Sequence, residues 1–176
     1  MLKRWVAMYG ASGGAAAIEF ALLAPVMIAM FFGVVEFSAA VDCRTRVTNM
    51  ASTAADLVAQ DTVISPADMT NVFAALNAIV FPFSSATSKI VISSIVDNGS
   101  GGAKVDWSDA QNGTARAPGS AVTVPAGLIS SGGSVILAEV TYTYSSPTTV
   151  VLIGAVTMSN SFYAHPRRSA KVTHTY

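Results

Sequence analysis

The sequence predicts an α+β protein: a long N-terminal transmembrane and stalk helix, a short helix, and an antiparallel sheet of three or four strands. Three observations carry that expectation. Residues 15–41 read AAAIEFALLAPVMIAMFFGVVEFSAAV, with Glu19 and Glu36 the only charges. Apolar residues then recur at helical spacing to about Gln60 and again over residues 66–80. From Ser88 onward the apolar period falls to two.

The apolar run comes first. As helix, residues 15–41 extend about 40 Å at roughly 1.5 Å per residue, enough to cross a hydrocarbon core of about 30 Å. A surface helix of a soluble domain is not apolar all the way round. The leader before it, residues 1–14, holds Lys3 and Arg4 and no acid, so the positive-inside bias keeps it cytoplasmic. Residues 42–176 are then exported, into the periplasm of a Gram-negative cell. Arg44 and Arg46 oppose this orientation weakly, because long domains cross largely regardless of charge. The expected topology is a single pass of the bacterial inner membrane. A cleaved signal peptide is the competitor, with Ser38-Ala39-Ala40 as its site. Against it, the run Phe20–Val35 exceeds the roughly 7–15 apolar residues of such a peptide.

Beyond the membrane, Val47, Met50, Ala51, Ala54, Leu57 and Val58 mark one face of a continuing stalk helix. DTVIS breaks it. Ser65 then suits an N-cap, Pro66 the first helical turn, and Asp68 the acid three residues on. Met69, Val72, Phe73, Leu76, Ile79 and Val80 form that helix's core stripe, ended by Phe81-Pro82. Lys89–Val96 and Lys104–Trp107 read as strands around a glycine-rich turn at 97–102, with Trp107 a core anchor. Residues 108–133 read as a long surface loop with a short strand at Val122–Val124. Ser134–Tyr144 is the strongest strand and Thr157–Ala164 its antiparallel partner. Between them Ser146-Pro147 turns, and Val150–Val156 is an apolar piece, a helical turn or a tip touching membrane.

The chemical inventory is thin. Ten Lys+Arg balance ten Asp+Glu, so charge gives no reason to expect nucleic acid. The single cysteine excludes an internal disulfide and a multi-cysteine metal centre. Cys43 is expected as a free thiol just outside the membrane, with an intermolecular bridge the alternative. His165 and His174 lack neighbours at metal-ligand spacing and read as surface residues. Asp106 and Asp109 read as solvated loop carboxylates, with calcium the minor alternative. Arg167, Arg168 and Lys171 read as a solvated basic tail. No nucleophile elbow or phosphate loop occurs. No cofactor, no metal and no enzymatic activity are expected.

One constellation remains. Gly14 ends a small-residue stretch, and Glu19 and Phe20 are the fifth and sixth residues after it. GAAAIEF resembles the processing site of type IV pilin-like proteins. The segment FALLAPVMIAMFFGVVEFSAAVD resembles the TadE-like family of tight-adherence (Tad/Flp) pilus proteins, through Glu19, Phe20, Ala21, Leu22, Pro25, Phe32, Gly33, Glu36 and Phe37. EVTYTY (139–144) and SFYAHPRRS (161–169) resemble that family's closing strands and ending. The resemblance implies a pilin-like outline and cleavage between Gly14 and Ala15 by a prepilin peptidase. It also implies a pseudopilin-like structural role beside other pilin-like subunits, Tad secretion proteins and the lipid bilayer. The alternative is an uncleaved single-span periplasmic scaffold or binding protein. Small residues around Gly14 leave little bulk near a scissile bond. After cleavage the new amine on Ala15 lies about one turn from the Glu19 carboxylate, and an acid entering lipid favours such a partner. Glu36 reads as a marker of the opposite interface that reaches water. Pro25 removes the N–H that would bond the Ala21 carbonyl, so a kink is expected there.

Overall fold

The computed structural model describes residues 13–146, 148 and 154–176. Most of the leader, Pro147 of the expected turn, and residues 150–153 of the apolar piece lie outside the described residues. Helix α1 runs from Gly13 to Ala59 and continues through Pro25. The chain divides into two compact units, Met1–Ala40 with Ser145–Gly154, and Val41–Tyr144 with Ala155–Tyr176.

In the first unit the helix carries its large apolar side chains on the outside. Leu22, Val26, Met27 and Phe31 are all more than half exposed. Among the described residues α1 is the one helix long and apolar enough to cross a membrane, with a window of mean hydropathy 2.3 and none of it buried.

The second unit is an α+β domain. The stalk part of α1 buries Cys43, Val47, Met50, Ala51, Ala54, Ala55 and Val58. Helix α2 (Pro66–Val80) starts where the cap residues place it. Ser65 Oγ accepts from the Asp68 N–H, and the Asp68 carboxylate accepts from the Ser65 N–H at 2.9 Å. That reciprocal box satisfies two of the donors a helix start leaves open. Met69, Leu76 and Val80 of its stripe are buried.

Strands β2 (Ser88–Asp97), β3 (Ala103–Gln111), β4 (Ala121–Val122), β5 (Ser134–Ser145) and β6 (Ala155–Ala164) form a curled antiparallel sheet in the order β4-β3-β2-β5-β6. The strand count is five, where three or four were expected, because the short Ala121–Val122 pairs with Ala103 and Lys104. β3 also runs past Trp107 to Gln111, pairing with β2 on both sides of an irregularity at Asp106. Asp106 and Asp109 are therefore strand residues. At the β2–β3 turn Gly99 and Gly101 adopt φ of 77° and 80°, which favours glycine. The Asp97 carboxylate accepts from the Gly132 N–H first and the Gly99 N–H second, and these bonds hold it below the usual carboxylate range. Over one face of the sheet, Val122, Val124, Leu128 and Ile129 pack on Ile95, Val105, Val135 and Leu137.

A separate two-stranded parallel sheet joins β1 (Val63–Ile64) to β7 (Thr173–His174). The break after the stalk and the end of the chain thus hold each other.

Candidate processing and assembly segment

Gly14 opens the first turn of α1, and a Cβ built there meets nothing within 4 Å. Ala15, Glu19 and Phe20 follow on the same helix, all exposed, with Phe20 66% accessible. Gly14 and the Glu19 side chain therefore lie little more than one turn apart on the exposed start of α1.

Glu36 departs from its expected role. It is 2% exposed, and Thr148 of the same compact unit donates its hydroxyl to the carboxylate. A buried carboxylate needs such donors, since leaving it unpaired costs far more than exposing it. No sequence signal within reach of Glu36 announces a partner that far along the chain.

Cys43 is a free cysteine with a fully buried side chain. Burial first, and the neighbouring Asp42 charge second, push its thiol up to about 11. It is a poor nucleophile in this setting. One turn further, Arg46 Nε donates to Asp42 at 2.9 Å, and its Nη1 donates to the carbonyls of Ile79 and Phe81. This is a cation satisfying the open carbonyls of a helix end, here that of α2.

The end of the chain is tied to the rest of its unit, while its basic side chains stay largely in solvent, that of Arg167 by 61%. Arg167 donates to Asp56 through its side chain and to the Ala59 carbonyl through its backbone, closing the C-terminus of α1. Lys171 pairs with Asp106 at 3.1 Å. His174 Nε2 donates to Asp109 Oδ2 at 2.8 Å, its side chain 5% exposed between Trp107 and Tyr176. Trp107 Nε1 donates to the Val172 carbonyl at 2.8 Å. His174, Asp106 and Asp109 are accordingly parts of a structural seam, whereas His165 and Arg168 are exposed. Among the described residues no group of three or more His, Cys, Asp or Glu is placed to hold a metal.

Residues 14–56 match the family model described as TadE-like protein. This segment is TadE-like. The match starts at Gly14 and stops at Asp56, before α2 and the sheet. The matched residues lie on α1, whose apolar N-terminal part is long and apolar enough to span a membrane. The family is structural and pilus-associated rather than catalytic. No curated protein and no solved structure matches the chain.

Proposed function

We propose that this chain is a membrane-anchored, pseudopilin-like structural protein of a Tad/Flp pilus machine, cut by a prepilin peptidase between Gly14 and Ala15. The observation that carries the reading is the TadE-like match beginning at Gly14, with Glu19 five residues on. In this reading the leader stays cytoplasmic, residues 15–41 lie in the inner membrane and the rest is periplasmic. The cut frees the Ala15 amine, and Glu19 pairs with it or with the amine of a neighbouring pilin-like subunit. Such a charge-assisted contact is worth about 1.5–3 kcal/mol.

The uncleaved scaffold draws on one observation: the Gly14–Ala15 bond lies inside the first turn of α1, and a peptidase binds extended backbone. Gly13 and Gly14 are the first two residues of the helix, where glycine adds no side-chain contact to hold the turn closed. N-terminal sequencing of the membrane-extracted chain decides. Ala15 as first residue supports processing; Met1 supports the scaffold. Glu19→Gln should be cut normally and fail to support pili, and normal piliation by that variant would remove the assembly role of Glu19.

A further inference from the structure

The two edges of the five-stranded sheet are unlike. On one side β3 is closed by β4 and by Val105, whose backbone bonds Ser120 and Gly119. On the other, β6 ends the sheet, and among the described residues no strand pairs with its second side. Its sequence AVTMSNSFYA holds no charge and no proline. Charged residues and proline are among the devices that keep an edge from pairing, and β6 carries neither. Val156 and Phe162 stay 42% and 44% exposed.

The edge also borders a groove. β6 runs in the same direction as the stalk: Val156–Asn160 face Arg44, Val47 and Thr48 across a cleft of about 320 Å³. Phe162–His165 face Ser52, Thr53 and Asp56 across a second of about 460 Å³. Asn160 Nδ2 donates to Thr48 Oγ1 at 2.8 Å and bridges the strand and the helix. Arg44 at one end and Arg168 just past the other are exposed and make no ion pair among the described residues.

We propose that the β6 edge and its groove receive an extended segment of a different protein, uncharged along its middle and acidic at its ends. The free backbone groups supply the ladder, alternate side chains enter the clefts, and the two arginines meet the acids. A second copy of this chain is the wrong occupant. Two-fold symmetry pairs one edge with itself antiparallel, which points the two stalks in opposite directions. This exclusion rests on the membrane-anchored reading proposed above, in which two chains held through residues 15–41 of one continuous helix in one membrane do not adopt that arrangement.

The test uses the full chain in lipid nanodiscs with labelled peptides EETVTVTVEE and KKTVTVTVKK. The acidic-ended peptide should bind about fivefold more tightly, the size expected of two exposed ion pairs. Its binding should slow hydrogen exchange across residues 155–164. Arg44→Glu with Arg168→Glu should reverse the preference, and Thr157→Asp with Ser161→Asp, at exposed positions, should abolish the protection without lowering the melting temperature. Equal affinities, no reversal, or protection elsewhere would overturn the proposal. So would a concentration-dependent dimer that the Asp pair dissolves, since the occupant would then be a second copy. Should the Asp pair unfold the domain, the charge reversal decides alone. All arms read the same whether or not the chain is cut after Gly14, so failure here is separable from failure of the processing reading.

Discussion

The two halves of α1 share one backbone and obey opposite rules. From Ile18 to Phe37 the large apolar side chains other than Phe32 are exposed, Leu22 by 72%. From Cys43 to Val58 the apolar positions of one face fall to 1% or less, while Arg44, Thr48 and Asn49 face out. Helix propensity does not distinguish these halves. What differs is whether apolar residues surround the axis or follow one stripe, and that pattern states which medium each half is built to meet.

The comparison breaks most sharply under truncation of large side chains. Ile92→Ala, in the buried face of β2, should cost the second unit about 2–5 kcal/mol in denaturant unfolding. Leu22→Ala, which removes similar bulk from the exposed half of α1, should leave the domain's unfolding within about 0.5 kcal/mol of the parent. Next in size, Trp107→Phe keeps an aromatic ring but leaves the Val172 carbonyl without its donor, for a loss of about 1–3 kcal/mol. Loosened exchange of β7 amides should accompany it.

Smaller still, Ser65→Ala should cost about 1 kcal/mol through the lost cap. The pH dependence sharpens that result. Hydrogen bonds from the Ser65 side chain and backbone hold Asp68 below its ordinary 3.8. A depressed folded value means the contribution is present above the unfolded value and is lost as pH falls through the folded one. Acid titration of α2 stability should therefore flatten in Asp68→Asn. The least energetic test is chemical: at neutral pH Cys43 should resist maleimide in the native chain and react on unfolding, as a buried thiol raised to about 11 requires.

Both helices were legible because their signals are local. Ser65, Pro66 and Asp68 name a helix start within four residues, and the stripes of α1 and α2 repeat along their own length. The TadE-like segment was legible for the same reason, its residues lying within one continuous run. The seam at the end of the chain was not. β1 and β7 hold two residues each, too few for any period, and their pairing exists only when the chain closes on itself. His174 meets Asp109 across 65 positions, and polar residues alternating with Val105 and Trp107 mimic a loop. Arg46 was read as a charge near a membrane, whereas its function here is to bind carbonyls of another helix. Glu36 failed similarly: an acid after an apolar run suggests an interface until Thr148 arrives.

The account rests on α1 serving two media, and labelling of single cysteines tests this directly. In a Cys43→Ala background, Leu22→Cys, Val26→Cys and Met30→Cys probe the exposed apolar half. Asn49→Cys, Thr70→Cys and Asn98→Cys probe exposed positions of the second unit. Spheroplasts treated with a membrane-impermeant maleimide should label the second set and spare the first until detergent is added. Labelling of Val26→Cys in intact membranes would contradict the claim that this half of the helix lies in lipid.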